Sequence, residues 1–407
     1  MSERPKVLLI ITQDTKAEEA RFVRETIEAA GCDVVHLDPS VRRDLGGAEI
    51  GPEAVAEAGG TPLAEVRGLG HEGKCQAVMT AGAVKLAQAA VADQGIAGVL
   101  AVGGSMGTGL AGTVMQALPY GLPKLIVSTM ASGMTAPYMG LKDIAMLASV
   151  TDIAGLNSIS REVFRNAANA IAGMAKGYDP AAHADKPLVL IGTLGTTETC
   201  TRRIREALEA DGCEVMVFHT SGTGGPTMDA IAAERDVAAV LDLSWTEMVD
   251  RLFGGLAAGG PDRGRAALGR GIPVIFAPGN VDFIIGGPID QAQAAFPGTR
   301  YHVHNPALTA VRTQLPHLTR IADHIAELSG EAAGPVRVFV PLGGFSSHDS
   351  DQGHLYEPDL PRPFAEHLRD VLPEGVPLRM VEAHFNDPAF ADAIVAETRA
   401  LIGHRAA

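Results

Sequence analysis

Basic residues are in deficit: 33 Lys and Arg stand against 48 Asp and Glu, leaving a formal net charge of −15. Such a balance gives no general basic footprint, so nucleic acid and anionic membrane surfaces are excluded as partners. A local basic pocket for phosphate stays open. Cysteine is scarce too. The four residues Cys32, Cys75, Cys200 and Cys213 form no C-x-x-C pair and no zinc-like spacing, so reduced thiols and a cytoplasmic protein are expected. The apolar run at 7–11 is too short for a signal peptide. No run approaches the roughly 20 residues that span a bilayer. Neither a Walker G-x-x-x-x-G-K-[ST] loop nor the dinucleotide G-x-G-x-x-G string is present.

What is present is a duplication. Val7-Leu-Leu-Ile-Ile-Thr-Gln-Asp-Thr-Lys16 returns as Leu188-Val-Leu-Ile-Gly-Thr-Leu-Gly-Thr-Thr197. The correspondence continues ungapped through Arg24 and Arg205, Gly31-Cys32 and Gly212-Cys213, and Ser40 and Ser221. Each copy reads as buried strand, polar loop, helix, then Gly and a second strand. Further apolar strands are predicted at 96–102, 124–128 and 144–150, with counterparts at 237–243 and 274–277 and a last unit at 336–340 and 377–381. Hydrophobic residues at 46% and 47 glycines suit closely packed helices and strands. The fold class is therefore α/β: two related doubly wound, Rossmann-like domains with mainly parallel sheets, facing across a cleft. The domains are expected at 1–180 and 186–407, joined by the polar, proline-bearing stretch 177–187.

Ligands of open parallel sheets bind beyond the carboxyl ends of the strands, which directs attention to the polar loops. Thr12, Asp14, Thr15 and Lys16 follow the first strand, and Thr193 and Thr196 follow its repeat. They suit an anion, although Asp14 and Thr15 would also serve as plain helix caps. Gly103-Gly104-Ser105-Met-Gly107-Thr108-Gly109 is more telling. Strand, glycine loop, then helix lets backbone amides approach a phosphate or carboxylate, and Ser105 and Thr108 add hydroxyls. A small-molecule phosphate or carboxylate is the expected ligand.

Histidines mark the C-terminal half: His302 and His304 in Tyr301-His-Val-His-Asn305, His348 beside Asp349, and His384 in Glu382-Ala-His-Phe-Asn386. His302 and His304 would share one strand face, and with His348 they are candidate ligands of a transition metal. His304, His348, Asp349 and His384 are the candidate acid–base groups. Satisfied histidines bonding to backbone, or capping helices, remain the alternative.

Nearly the whole chain resembles a known family: two-domain proteins of bacteria and fungi related to the N-terminal ATP-binding region of tomato's resistance protein against tomato mosaic virus. The resemblance lies in T-x-D-T-K-x-x-E at Thr12–Glu19, G-G-S-x-G-T at Gly103–Thr108, Pro123–Gly133 and Asp152–Asn157. It continues in Gly259–Arg263, Tyr301–Pro306, Pro341–Asp349 and His384–Asp387. Two positions depart from the family pattern. Ile11 replaces a glycine before the first Thr, and Met106 replaces one in the glycine loop, where a side chain narrows the anion pocket. The resemblance implies ATP with Mg²⁺ at the interdomain cleft, its phosphates on the Gly103–Thr108 loop and the paired Thr loops, with Lys16 offsetting their charge. The family's plant member carries a TIM-barrel domain as well, which implies a separately encoded barrel partner here. A homo-oligomer is also expected. Two rival expectations stand beside ATP binding: a metal-dependent or histidine-based enzyme acting on an oxo-acid or sugar-acid derivative, and a protein-binding scaffold.

Overall fold

The computed structural model describes residues 4–179 and 186–406. Residues 180–185, within the expected joining stretch 177–187, lie outside the described residues. The chain divides into two compact units, Met1–His183 and Ala184–Ala407.

Unit 1 carries β1 (Lys6–Ile10), β2 (Asp33–Leu37), β3 (Ile96–Gly103), β4 (Lys124–Ser128) and β5 (Ala145–Ala148). They form one parallel sheet in the order β2-β1-β3-β4-β5. Alternation along each strand divides the core between its two faces. Leu8 and Ile10 pack with Val99, Val114 and Ile126 on one side, while Val7 and Leu9 pack with Leu100, Phe164 and Ile171 on the other. A sheet buried on both faces needs continuous apolar strands, as the sequence has. Helix Gln13–Ala29 turns Ala20, Val23 and Ile27 inward at helical spacing. Helix Ser158–Gly177 starts from an Asn157 capping box closed by Ser160.

Unit 2 repeats the plan with β6 (Leu188–Thr193), β7 (Glu214–His219), β8 (Ala239–Asp242) and β9 (Val274–Phe276). An antiparallel excursion follows: β10 (Phe283–Gly286), β11 (Tyr301–Asn305) and β12 (Leu308–Arg312). Then come β13 (Val336–Pro341) and β14 (Leu378–Val381), and the main sheet runs β14-β13-β9-β8-β6-β7, all parallel. Both units thus place their first strand between the second and third, and the architecture is α/β with two Rossmann-like parallel-sheet domains.

Two features depart from the sequence expectation. Helices Pro52–Ala58, Leu63–Gly68 and Glu72–Gln94 fill the stretch between β2 and β3, where helical periodicity in the sequence marks only 85–93. The strand bearing His302 and His304 belongs to the small antiparallel sheet, not to a parallel one. Among the described residues, all four cysteines are free and buried, and no helix is long and apolar enough to cross a membrane.

Candidate functional site

In unit 1 the chain leaves β1 for a helix on one side of the sheet and leaves β3 for a helix on the other. The order β2-β1-β3-β4-β5 makes this the topological switch point, where such sheets open a crevice at their carboxyl ends. A cavity of about 500 Å³ occupies it. Thr12, Asp14, Thr15 and Lys16 from the β1 loop and Gly103, Gly104, Ser105, Met106 and Gly107 from the β3 loop all line its wall. Its floor is apolar, with Ile10, Val41, Met79 and Leu110.

The glycines divide by role. A Cβ on Gly103 would sit 2.9 Å from Gly107 Cα, so the loop can fold back only with glycine there. On Gly104 and Gly107 a Cβ would meet no protein atom closer than 3.9 and 4.0 Å. The chain's own packing does not demand glycine at either, and their bare backbone leaves room for a ligand. Helix Ser105–Gln116 begins here, and its first N–H groups have no intrahelical acceptor. The positive helix end therefore faces the crevice. Thr108 is the exception in the string. Its hydroxyl is fully buried and bonded to Ser128 Oγ at 2.6 Å and to Gly103 O, so it braces β4 against the loop and does not face the cavity.

The β1 loop contributes side chains more than amides. Gln13 N–H donates to Asp38 Oδ1 and Asp14 N–H to Ser40 Oγ, so that helix end is already capped. Lys16 departs from helical geometry (φ −139°, ψ 36°), and its Nζ lies 3.4 Å from Thr15 Oγ1. Arg42 and Arg67, which no motif flagged, add two cations to the wall against the carboxylates of Asp14 and Glu72. With Lys16 they give the cavity a positive balance in a protein of net charge −15. The Arg42–Glu72 pair, 3.8 Å apart and well exposed, scarcely offsets this.

The equivalent place in unit 2 is closed by its own side chains. Thr193 Oγ1 bonds to Thr201 Oγ1 at 2.7 Å and to Thr197. Thr196 donates to Asn280 Oδ1, and Asn386 Nδ2 donates to the Thr196 carbonyl. Asn280 Nδ2 in turn donates to Ser244 Oγ at 2.8 Å. Thr193 and Thr196 are thus spent on internal bonds.

The histidines separate into two groups. His302 from β11 and His348 from the loop after β13 lie 4.3 Å apart with tilted rings, and His302 stacks on His354 at 4.9 Å, their Nδ1 atoms 2.7 Å apart. Burial, with the neighbouring imidazoles, pushes His348 down to about 4. Exposed His304 lies near enough to oppose protonation of both His302 and His348. Among the described residues, however, no three His, Cys, Asp or Glu side chains are arranged to hold a metal ion. His384 stands apart. Its Nδ1 accepts from Asn386 N–H at 3.1 Å and its Nε2 lies 2.9 Å from the Ser346 carbonyl, so both ring nitrogens hold backbone. Asp349 is fully buried; it accepts from Phe345 and Glu357 N–H and lies 3.2 Å from Arg312 Nη2. Burial pushes its carboxyl up, as it does that of nearby Asp282, whose own charge the Asp349 carboxylate also opposes. Asp349 and His384 are therefore parts of the scaffold.

Residues 5–180 match the model of the Uncharacterised protein family (UPF0261) N-terminal domain, and residues 186–402 that of its C-terminal domain. The chain belongs to the UPF0261 family. A UPF0261 protein of Clostridium tetani is 34% identical over 394 residues, covering 96% of this chain and 97% of that protein. The ToMV resistance protein Tm-1(GCR237) of Solanum lycopersicum is 30% identical over 422 residues, covering 97% of this chain and 55% of the tomato protein. The crystal structure of Acinetobacter baumannii MurG covers 97% of this chain and 99% of its own at 14% identity, with a TM-score of 0.23, too low to carry an argument.

Several of the strings that carry the family resemblance have a structural explanation in this chain. Glu19 is buried and accepts from Gly155 N–H at 2.7 Å, tying the β1 helix to the loop after β5. Arg263 is buried between Glu247 Oε2 at 2.7 Å and Asp242 Oδ1 at 3.0 Å. Gly343 has no space for a Cβ, which would lie 2.7 Å from His384 N, so the two C-terminal strings interlock. Asn305 Oδ1 accepts from Ala307 and Leu308 N–H and closes the hairpin of β11 and β12.

Proposed function

We propose that unit 1 binds a nucleotide, ATP with Mg²⁺, in the crevice between the β1 and β3 loops. The observation that carries this is the pair Gly104 and Gly107: glycines that the protein's packing does not require, at the start of a twelve-residue helix lining a 500 Å³ cavity. Phosphates rest on the amides of Gly104–Gly107, with Ser105 donating its hydroxyl. Lys16, Arg42 and Arg67 offset their charge. The apolar floor of Ile10, Val41, Met79 and Leu110 takes the base. Mg²⁺ binds through one or two carboxylates together with phosphate oxygens, and Asp14 and Glu72 are the carboxylates on this wall. Met106, 43% exposed, narrows the entrance where the family pattern has glycine.

Isothermal titration of the full chain with ATP and Mg²⁺ tests this. Micromolar binding that weakens about tenfold or more in Lys16→Ala, with an unchanged unfolding midpoint, is the expected result. No binding at millimolar ATP would remove the reading.

A second reading rests on the convergence of His302, His348 and His354. Burial and the neighbouring imidazoles hold His302 and His348 below the usual histidine range, and the cluster suits acid–base chemistry on an oxo-acid or sugar-acid derivative without nucleotide. Loss of turnover in His348→Ala, with ATP without effect, would favour it.

A further inference from the structure

A second hollow lies in the same unit, at the carboxyl ends of β4 and β5. Its volume is about 320 Å³, and its wall is a shelf of hydroxyls: Thr129, Ser132, Ser149 and Thr151, with the carboxylate of Asp152 beside them. No Lys or Arg lines it. Among the described residues, the hydroxyls of Thr129 and Ser132 have no hydrogen-bond partner. Asp152 uses one oxygen to accept from Ile153 N–H at 2.8 Å, which leaves the other free.

The rim is held under strain. Val150 is 74% exposed and has φ +65°, a conformation that a β-branched residue rarely adopts. Thr151 N–H donates to the Ser149 carbonyl across it at 2.7 Å, a γ-turn of the uncommon positive-φ kind. Ser149 Oγ locks the turn by donating to the Thr151 carbonyl at 2.7 Å. An exposed valine gains nothing from this geometry by packing, and backbone strain of this sort gathers at ligand sites.

The shelf also adjoins the phosphate loop. Thr129 Oγ1 would lie 3.9 Å from a Cβ on Gly104, and Thr129 N–H donates to the Gly103 carbonyl at 3.4 Å. We infer that the shelf binds the polyhydroxylated part of a phosphorylated ligand whose phosphate lies on Gly104–Gly107. The reasoning is chemical. Uncommitted hydroxyls and one carboxylate, without a cation, suit neutral groups that donate and accept at once. A second anion there would face Asp152 unscreened. A sugar with neighbouring hydroxyls can donate to Asp152 and exchange hydrogen bonds with Thr129 and Ser132. That sugar belongs to a sugar phosphate, since a nucleotide whose base lies on the Ile10–Leu110 floor carries its ribose on the other side of the loop, and this inference rests on the phosphate-loop reading above.

The test titrates the full chain with inorganic phosphate, ribose 5-phosphate and ATP with Mg²⁺, in the native protein and in Asp152→Ala and Ser132→Ala. Both side chains are exposed, so neither variant threatens the fold. Ribose 5-phosphate is expected to bind at least tenfold more tightly than phosphate, and each variant to remove most of that advantage while leaving phosphate binding unchanged. Loss confined to ribose 5-phosphate supports the shelf. Parallel loss for ATP would place the nucleotide's own ribose there and overturn the assignment to a separate sugar phosphate. If phosphate and ATP bind but ribose 5-phosphate gains nothing and the variants are silent, the shelf is overturned and the loop stands. If none of the three binds, both fall together.

Discussion

Asn280 Nδ2 donates to Ser244 Oγ at 2.8 Å, and through that bond the second switch point is filled from within. Asn280 sits at φ +59°, a conformation asparagine tolerates better than most residues, and its other amide atom accepts from Thr196. In unit 1 the corresponding place is the open cavity between Thr12 and Gly104. The polar side chains at the two equivalent strand ends therefore differ: in unit 2 they bond to one another, and in unit 1 they line a cavity.

The two glycines of the loop should respond differently to the same substitution. Gly103→Ala forces a Cβ to 2.9 Å from Gly107 Cα and should cost about 1–3 kcal/mol, as overpacking does. Gly104→Ala has open space and a φ of −76°, so stability should hardly change while ATP affinity falls. Urea midpoints and titration on both variants check this; equal destabilisation would contradict it.

Arg263 supports unit 2 from inside. Its guanidinium is enclosed by Asp242 and Glu247, with Asp229 3.8 Å away. Arg263→Leu leaves these carboxylates buried without a cation and should cost about 3–5 kcal/mol. The urea midpoint measures the loss. A change under 1 kcal/mol (roughly the value of an exposed pair) would show that the cluster contributes little.

Asp250 should contribute stability that declines as pH rises from about 4 to 7, against the opposite contribution of His348, which is held down to about 4. Burial pushes the Asp250 carboxyl from 3.8 up to about 7, offset only by N–H groups of Ile285 and Ala257. A folded-state pKa above the unfolded one means the native protein holds the proton longer. Its stabilising effect is complete below the unfolded value and is lost as pH climbs through the folded one. Asp229, raised to about 6, acts in the same direction. Asp250→Asn should flatten the slope of unfolding free energy between pH 4 and 7. An unchanged slope would assign the dependence elsewhere.

His384 should carry its ring proton on Nε2, facing the Ser346 carbonyl, because Nδ1 accepts from Asn386 N–H. Nitrogen chemical shifts of the labelled imidazole report this directly. His384→Ala should lower the unfolding midpoint without altering ATP affinity. A ring proton found on Nδ1 would contradict the assignment.

The parallel sheets were legible because β1, β3 and β6 are near-continuous apolar runs and the repeat aligns β1 with β6 and β2 with β7 without gaps. The glycine loop was legible because strand, glycine run and helix are contiguous. The histidines were less so. His302 and His348 were visible as motifs, but His354 lies in a loop with no periodicity, and only the fold brings it to 2.7 Å from His302. Arg42 and Arg67 reach the cavity from a loop and a six-residue helix that carry no pattern. Thr108, Thr193 and Thr196 were misplaced for the opposite reason: a hydroxyl beside a glycine reads the same whether it faces a ligand or braces a strand.

The account rests most directly on which copy takes the ligand. Titrating ATP and Mg²⁺ into isotopically labelled protein, with backbone amides followed by NMR, decides it. The amides of Gly104, Ser105, Met106 and Gly107 should shift with saturation, and those of Leu194–Thr197 should remain in place. Shifts centred on Leu194–Thr197, with the Gly104–Gly107 amides unmoved, would contradict the account.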